Sequence, residues 1–360
     1  MLKENTATEA NELPLYLQRE LKPLVRKIDE EHYYPKDFLC SLGEKGYYTS
    51  KSLMKKDVSL REFQLVEEVS KVCMTTGFVL WCHLAALTYV RNSRNDYLTT
   101  KLLPKLEDGT LLAGTGLSNP MKFYADIERL HLKAERKDGG YIVSGALPSV
   151  SNIADEHWFG AVAEVNDDQR IMLFIPCNTD GLLLKENKGY MGINGSATYG
   201  CRFHNCFIPD EWVISEDADT FVEKIRPIFL LYQIPMGLGV TSASVQSIEK
   251  AGNRQAGCNQ YLPVQAEELE SELRCQREDI YSYLESNFEN LRWQPLIQFR
   301  LDITYLTLKA ANASMIHNGG AGYLNVSRPV RRLRETYFLA NLTPTVKHLE
   351  KMLANPENGN

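Results

Sequence analysis

The sequence predicts an α+β protein in which two helical domains flank a small β domain, and three observations support this prediction. Near the N-terminus, apolar residues recur at three- and four-residue steps, as they do in amphipathic helices. The middle of the chain has short alternating segments separated by Gly, Pro, Asn and Asp, which is typical of a small sandwich or barrel. The last third returns to helical spacing. A doubly wound sheet would alternate strand and helix throughout, so that class is excluded.

The predicted domains span residues 1–110, 111–215 and 216–360. In the first domain the helical spacing is carried by Leu17, Leu21, Leu24, Val25 and Ile28, then by Val66, Val69, Val72 and Cys73. The middle domain offers strand candidates at 130–134, 141–143, 157–165, 171–175 and 198–208. Gly139 and Gly140 predict a turn between the first two of these strands.

Three helices are predicted in the last domain. Residues 225–250 read as one long, largely apolar helix with a kink at Pro235. Residues 266–287 are acidic and amphipathic, which is typical of a surface helix. Residues 296–316 are apolar on most faces, so we expect this helix to be buried.

Composition excludes several classes of protein. With 360 residues, 44% hydrophobic and 24% charged, the chain is typical of a globular protein with a sizeable core. The net charge of −6 argues against nucleic acid as a partner. Eight cysteines without CxxC spacing indicate free thiols in a reducing compartment. The N-terminus lacks a signal core, and the apolar stretch 227–248 is too polar for a membrane span. We therefore expect a soluble, cytoplasmic protein.

Familiar catalytic motifs are absent. The sequence has no GxGxxG, GxxxxGKS/T, HExxH or GxSxG, so neither a standard phosphate-binding loop nor hydrolase chemistry is supported. Cys201, His204 and Cys206 lie on a predicted strand, where residues two apart share a face. We therefore expect His204 and Cys206 to point away from Cys201, which argues against a metal site. His83, in an apolar helical stretch, is expected to be a hydrogen-bonded core residue.

Two charged clusters and one glycine segment leave alternatives open. A solvated helix face is the interpretation of Glu267, Glu268, Glu270 and Glu272. An ion-pair network between helices is favoured over a phosphate site for Arg328, Arg331, Arg332 and Arg334. The glycines of segment 319–323 predict either a helix stop or a close approach of the backbone to a ligand.

Several segments resemble the acyl-CoA dehydrogenase superfamily, and they occur in the order of that family. They are 139–145 with 149–152, 190–198 with 203–209, 223–227, the pair Arg254 and Gln265, and 319–323. The resemblance implies an N-terminal helical domain, a small β domain and a C-terminal four-helix bundle. It also implies a homodimer or homotetramer.

The resemblance further implies an FAD cofactor that lies extended between the β domain and the last helical domain. The positions that it assigns to the cofactor are Leu117, Ser118, Ser149, Ser151, Arg254, Gln265, Gly319, Gly320 and Thr345. Four of them, at 254, 265, 319 and 320, would reach the cofactor of a neighbouring subunit. Glu223 and Arg226 correspond to substrate positions, for an acyl thioester of CoA or of a carrier protein. An electron-transfer flavoprotein or a flavin reductase is the implied electron partner.

The chain departs from the family at several of its functional positions. Tyr124 and Ala125 replace the Gly-Ser of the family's phosphate-contacting motif, and Ser149 replaces the tryptophan beside the flavin. Gly257 stands where the family has phenylalanine, and Ile316 where it has glutamine.

The largest departure concerns the catalytic base. Removal of an α-proton from a thioester needs a positioned base, which in the family is a glutamate. Thr343 stands at that position, and Ile225 stands at the alternative position that a minority of the family uses. Neither side chain is a base at neutral pH, so the catalytic residue stays unassigned. Glu223 and Glu335 are the nearby carboxylates, and we expect Glu335 to pair within the arginine cluster.

Three functions follow from this pattern. The breadth of the resemblance favours α,β-dehydrogenation of an acyl thioester. A monooxygenase that uses oxygen and a reduced flavin, FMN or FAD, needs no such glutamate, and residues 342–344 resemble dibenzothiophene monooxygenase in carrying a proline there. A protein with this fold but without catalysis, kept for binding or assembly, is the third alternative.

Overall fold

The computed structural model describes residues 12–252 and 255–355. Its N-terminal part is helical throughout. The elements are Leu17–Leu21, Lys22–Leu24, α1 (Val25–Glu30), α2 (Lys36–Glu44), α3 (Lys55–Val72), α4 (Met74–Asn92), Leu98–Leu102 and α5 (Leu103–Glu107). Helix α4 is buried continuously from residue 74 to residue 90, which accounts for its uncharged sequence.

The middle part contains an eight-stranded sheet. Its elements are β1 (Ala113–Thr115), α6 (Ser118–Phe123), β2 (Leu132–Lys137), β3 (Gly140–Val150), β4 (Trp158–Asn166), β5 (Gln169–Pro176), β6 (Leu182–Glu186), Asn194–Ser196, β7 (Tyr199–Pro209), Asp210–Trp212 and β8 (Val213–Ser215). The strand order is β6-β7-β3-β2-β4-β5-β8, and β1 pairs with β4 in parallel. Gly139 has φ +76° and forms the predicted turn between β2 and β3.

The last part is again helical. Its elements are α7 (Ala218–Leu231), α8 (Ile234–Ala251), Gln255–Tyr261, α9 (Ala266–Asn287), Phe288–Asn290, α10 (Trp293–Gly322), α11 (Arg328–Asn341) and α12 (Val346–Ala354). The predicted helix at 266–287 is confirmed with the same bounds. The predicted buried helix at 296–316 is confirmed within α10, although Ile316 is 62% exposed.

The prediction of a single helix over 225–250, kinked at Pro235, is wrong. The chain leaves the helix at Tyr232 and Gln233, and Pro235 lies in the first turn of α8, where the missing N–H costs nothing. Tertiary hydrogen bonds hold the break in place. The Tyr232 hydroxyl donates to the buried Glu62 carboxylate at 2.6 Å, and the Gln233 amide donates to the Thr343 carbonyl oxygen at 3.0 Å.

The faces predicted for Cys201, His204 and Cys206 are also wrong in part. Asn205 adopts φ +52°, which interrupts the alternation of side chains along β7. Cys201 and Cys206 are consequently both buried, whereas His204 is exposed. The two thiols lie in the core of the sheet domain and the imidazole faces away from them.

Two hydrophobic clusters form the core, one within the sheet domain and one shared by the helices. Close packing between α3 and α8 requires glycine at position 239, because a Cβ there would overlap the carbonyl oxygen of Glu67. Residues 218–251 contain an 18-residue window that is apolar enough for a membrane span, but 83% of that window is buried inside the protein. The apolar character of the window therefore reflects its place in the core.

The expectations for His83 and for the acidic run are confirmed. His83 is fully buried; its Nε2 lies 3.1 Å from the Leu106 carbonyl oxygen, and its Nδ1 accepts from the Ala113 amide at 3.2 Å. On the surface of α9, Glu268 and Glu272 each bind the Lys309 ammonium group at 2.6 Å.

Candidate active site

A cavity of about 440 Å³ opens between the sheet domain and the helices around it. Helix α4 and the end of α7 form one side, and α11 with the loop that follows it forms the other. Helix α6, the ends of β1 and β3, and the segment 190–198 before β7 complete the wall. We refer to this cavity as the cleft.

One wall of the cleft is aromatic. The rings of Phe78 and Phe338 meet edge to face with their centroids 4.6 Å apart, and those of Trp81 and Phe229 do so at 4.9 Å. The indole N–H of Trp81 donates to the Phe229 carbonyl oxygen at 3.0 Å, so its polar atom is satisfied. This wall suits an apolar or planar ligand.

Hydroxyl groups occupy much of the remaining surface. They belong to Thr115, Ser118, Ser149, Ser151, Thr198, Thr343 and Thr345. The hydroxyl oxygens of Ser118 and Thr343 lie 2.9 Å apart and share a hydrogen bond between the sheet domain and the C-terminal helices. Ser151 and Thr198 form a second such pair at 2.7 Å. Each hydroxyl can donate or accept, so the rim can match a ligand edge that presents both kinds of group.

A buried hydrogen-bond network holds the loop that carries Thr343. Gln233 donates to the Thr343 carbonyl oxygen at 3.0 Å and accepts from Arg300 Nε at 3.1 Å. Arg300 is fully buried and also donates to the Leu339 carbonyl oxygen at 2.7 Å. Burial lowers the pKa of Arg300 to about 9, so the guanidinium is charged at neutral pH. This network fixes the backbone on both sides of the loop.

No carboxylate or imidazole lines the cleft among the residues that the structure describes. The titratable side chains at its surface are Cys82, Lys122, Tyr190, Arg334 and Tyr337. Burial raises the pKa of the Cys82 thiol well above its ordinary value, so Cys82 is not a base. Arg334 pairs with Asp29 at 2.6 Å, and Lys122 pairs with Glu128 at 3.3 Å. Residues 12–252 and 255–355 therefore supply no conventional general base to the cleft.

The structure brings five of the predicted residues to the cleft. They are Ser118, Ser149, Ser151, Thr343 and Thr345. Leu117 is buried and immediately precedes α6. These residues come from three separate stretches of the chain, two of which are joined by the Ser118–Thr343 hydrogen bond.

Three predicted residues do not line the cleft. Glu223 is exposed on α7, and Arg226 lies with its guanidinium carbon 5.2 Å from the centre of the Trp293 ring. Glu335 is buried and pairs with Arg331 at 3.1 Å, as expected for a member of the arginine cluster. Its carboxylate also accepts from the Thr75 amide and hydroxyl at 3.0 and 2.9 Å. No carboxylate considered as a base therefore faces the cleft.

The remaining predicted cofactor residues form a second group near the end of α10. The loop before Gln265 packs on this end, because His317 Nε2 lies 2.8 Å from the Val264 carbonyl oxygen. Gly319 has φ +55° and ψ −143°, which only glycine adopts readily, and Gly319 and Gly320 both face open space. Arg254 lies outside the described residues. The regular helical backbone is interrupted at Gly319, as expected for a helix stop, and the short turn that follows extends to residue 322.

Tyr124, which stands where the family has the glycine of its Gly-Ser pair, has a structural contact with the start of α7. Its hydroxyl donates to the Asp219 carboxylate at 2.9 Å, and Arg170 binds the same carboxylate at 2.8 Å. This segment is therefore tied to the start of α7, and Tyr124 does not line the cleft.

Sequence reasoning missed Gln233, Arg300 and the aromatic wall. Arg300 could have been noticed in the sequence, since it is a charged residue on the buried face of a largely apolar helix. The aromatic wall could not, because Phe78 and Phe338 are far apart in sequence and aromatic residues are common in any core.

The residues of the cleft fit a flavin. The donor set of seven hydroxyls suits the polar edge of an isoalloxazine ring, which carries both carbonyl oxygens and an N–H. The aromatic wall opposite suits the apolar face of the ring or of a substrate.

Comparison with known proteins links this chain to acyl-CoA dehydrogenases. The N-terminal domain family of acyl-CoA dehydrogenases matches residues 10–110. Benzylmalonyl-CoA dehydrogenase of Aromatoleum aromaticum is 22% identical over 65% of this chain, and the match spans 65% of that relative's length. Mitochondrial isovaleryl-CoA dehydrogenase of Solanum tuberosum is 22% identical over 89% of this chain and 82% of its own length.

Solved structures show the same fold. Butyryl-CoA dehydrogenase from Megasphaera elsdenii has a TM-score of 0.83 at 17% identity, covering 96% of both chains. The prolyl acyl carrier protein oxidase AnaB has a TM-score of 0.80 at 18% identity, covering 96% of this chain and 97% of its own. A structure described as an FAD-dependent dehydrogenase has a TM-score of 0.78 at 18% identity, covering 95% of this chain and 98% of its own. The chain therefore has the acyl-CoA dehydrogenase fold, and its residues 10–110 match the N-terminal domain family of acyl-CoA dehydrogenases.

Proposed function

We propose that this chain is an FAD-dependent oxidoreductase that oxidises the α,β CH–CH bond of an acyl thioester carried by CoA or by a carrier protein. The observation that carries the proposal is the cleft, in which a rim of hydroxyls faces an aromatic wall at the junction of the sheet domain and the helices. The relatives named as dehydrogenases of acyl-CoA compounds, and the structural neighbour named as an oxidase of an acyl carrier protein, support this substrate class.

The residues of the cleft have separate roles in this proposal. Ser118, Ser151 and Thr345 would hold the polar edge of the cofactor, which when bound supplies the acceptor for a hydride. Phe78 and Phe338 would pack against the apolar acyl chain. The cluster around Gly319 and Gly320 would receive the far end of a cofactor from a second copy of the chain.

The proposed reaction needs a group that removes the α-proton of the thioester, and the cleft offers no conventional one among the described residues. The Thr343 hydroxyl shares a hydrogen bond with Ser118, occupies the position that the resemblance assigns to the base, and cannot take a proton at neutral pH. A positioned general base contributes about 10²–10⁴-fold to a rate, so we expect proton transfer to solvent and a slow reaction.

Product analysis tests the proposal. The purified chain with added FAD and an electron acceptor would be incubated with acyl-CoAs of several lengths and with the same acyl groups on a phosphopantetheinylated carrier protein. Mass spectrometry should show an acyl group that has lost two hydrogens. A gain of one oxygen atom, or no change with any substrate, would refute the proposal.

A second candidate function is favoured by one specific observation, the absence of any carboxylate or imidazole from the described surface of the cleft. A monooxygenase that uses reduced flavin, FMN or FAD, together with oxygen, needs no group to remove an α-proton. Its product would carry one oxygen atom from O₂, which labelling with ¹⁸O₂ detects. That product should form only when a flavin reductase or a chemical reductant is supplied.

A further inference from the structure

A second cavity, of about 660 Å³, lies on another part of the molecule and shares no lining residue with the cleft. The N-terminal helical segment and α1 form one wall, and the C-terminal ends of α3 and α8 form the next. The first turns of α11 close it. We call it the basic cavity, because of the charges described next.

Positive charge predominates in the basic cavity. Its seven basic side chains belong to Lys22, Arg26, Lys71, Lys250, Arg328, Arg331 and Arg332. Its three acidic side chains belong to Asp29, Glu30 and Glu68. Two of these groups pair with residues outside the cavity, Asp29 with Arg334 at 2.6 Å and Arg331 with Glu335 at 3.1 Å. The six basic and two acidic side chains that are left give an excess of four positive charges.

Arg332 is the unusual member of this set. Its side chain is only 6% exposed, yet Nε and Nη2 have no hydrogen-bond partner in the described part of the chain. Its neighbour Arg331 is satisfied, by Glu335 at 3.1 Å and by the Val72 carbonyl oxygen at 3.1 Å. A buried guanidinium without a partner destabilises a protein unless something else binds it.

Arg332 remains charged at neutral pH. Burial, reinforced by the charge of Arg331, lowers its pKa to about 9, which is still well above 7. The nearby charge of Glu335 partly offsets these effects, but it makes no hydrogen bond to Nε or Nη2, so these N–H groups are donors for an anion.

The start of α11 adds to the attraction for an anion. Ser327 caps this 14-residue helix by accepting from the Val330 amide at 3.2 Å, and residues 327–329 line the cavity. The positive end of the helix dipole therefore borders the same space as Arg332. Because Pro329 has no N–H, the helix attracts an anion mainly through the electrostatic field of its dipole and less through hydrogen bonds.

We propose that the basic cavity is a binding site for a phosphate-bearing small molecule, with Arg332 as its buried anchor and Lys71, Lys250 and Arg328 at its rim. Guanidinium groups bind phosphate oxygens through paired N–H donors, which Arg332 has available. The apolar side chains of Leu17, Val25 and Val326 line the same cavity and leave room for a less polar part of the ligand. This site is independent of the proposed oxidoreductase activity.

Calorimetric titration with inorganic pyrophosphate tests the proposal. The full chain would be used with excess FAD, so that any cofactor site is filled before the probe is added. We expect binding to the wild type that weakens as salt increases, and at least a tenfold loss of affinity in Arg332→Met. Replacing a buried, unpaired charge by an apolar side chain of similar length should not impair folding.

A second variant and a control keep the result interpretable. Arg328 and Lys250 are exposed, so the double variant Arg328→Ala/Lys250→Ala should fold normally and also lose affinity at least tenfold. Arg274→Ala removes an exposed arginine of α9 outside the cavity and should bind like the wild type. Absence of binding to the wild type would overturn the proposal, as would equal affinity in all four proteins. Neither outcome depends on whether the chain oxidises a thioester.

Discussion

The hydroxyl oxygens of Ser118 and Thr343 lie 2.9 Å apart, although 225 positions separate the two residues in the sequence. Ser118 begins the short helix α6 of the middle domain, and Thr343 follows α11. This contact joins the two walls of the cleft at the position where the resemblance calls for a carboxylate. A pair of hydroxyls therefore occupies the position that the resemblance assigns to the base.

Restoring a carboxylate at position 343 should accelerate dehydrogenation. In Thr343→Glu a base would stand where the family has one, so we expect flavin reduction by an acyl-CoA to become about 10²–10⁴-fold faster. Stopped-flow absorbance under anaerobic conditions measures this rate. Thr343→Gln has the same shape without a basic carboxylate and should remain as slow as the wild type. Equal rates in the Glu and Gln variants would show that position 343 does not limit the reaction.

Removing Gln233 should destabilise the loop of the cleft. In Gln233→Leu, the Arg300 Nε and the Thr343 carbonyl oxygen both lose a buried partner, which should cost about 2–3 kcal/mol of unfolding free energy. Urea denaturation followed by circular dichroism measures the change. The double variant Gln233→Leu/Arg300→Met also removes the buried charge and should be more stable than the sum of the single changes predicts. Strict additivity would contradict the coupling.

Buried histidines should make the protein sensitive to acid. Burial lowers the pKa of His83 from 6.5 to about 3 and that of His348 to about 4, so both are neutral in the folded protein. The unfolded chain binds their protons below about pH 6.5, so stability is complete above that value and falls as the pH decreases towards the folded-state pKa values. Each such histidine contributes up to about 1.4 kcal/mol per pH unit.

The variant His83→Gln isolates one of these contributions. Urea unfolding between pH 7 and pH 4.5 should show a shallower decline of stability with acid than in the wild type, by up to about 1.4 kcal/mol per pH unit. The variant His204→Gln, at the exposed histidine of β7, is the matched control for the loss of a histidine. A wild-type slope in His83→Gln would mean that His83 is protonated in the folded protein.

The end of α10 should form a contact between copies of the chain. Ile316 is 62% exposed and Tyr323 81% exposed, and Leu324 and Val326 follow at 59% each. Such a cluster of exposed apolar residues is typical of an interface. Light scattering should show a dimer or tetramer for the wild type and a smaller species for Ile316→Asp/Tyr323→Asp. Leu183→Asp, which changes an exposed leucine of β6, should leave the assembly intact.

Helical periodicity predicted much of the fold because burial follows a regular face. The bounds of α9 agree with the predicted 266–287, and the three-part order of the chain is the one observed. The prediction failed at two places, one fixed by a hydrogen bond between residues distant in sequence and the other by an unusual local backbone conformation. The break between α7 and α8 depends on the Tyr232–Glu62 bond across 170 positions, and the reversal along β7 depends on the left-handed Asn205.

The site was predictable only in part, for a similar reason. The hydroxyl residues were found because their segments resemble a family, and five of them do line the cleft. Arg226 was assigned to the substrate by the same reasoning, yet it stacks over Trp293 and does not line the cleft. The Gln233–Arg300 network could not be found from spacing, because its members are 67 positions apart and neither belongs to a motif.

The most direct test of the proposed function is an anaerobic absorbance titration of the purified wild type. We predict that the protein binds FAD and that at least one acyl-CoA or carrier-bound acyl thioester slowly bleaches the long-wavelength flavin band, to completion at excess thioester. FAD that stays oxidised with every thioester, or a protein that binds no FAD even when it is added, would contradict acyl-thioester oxidation by this cleft.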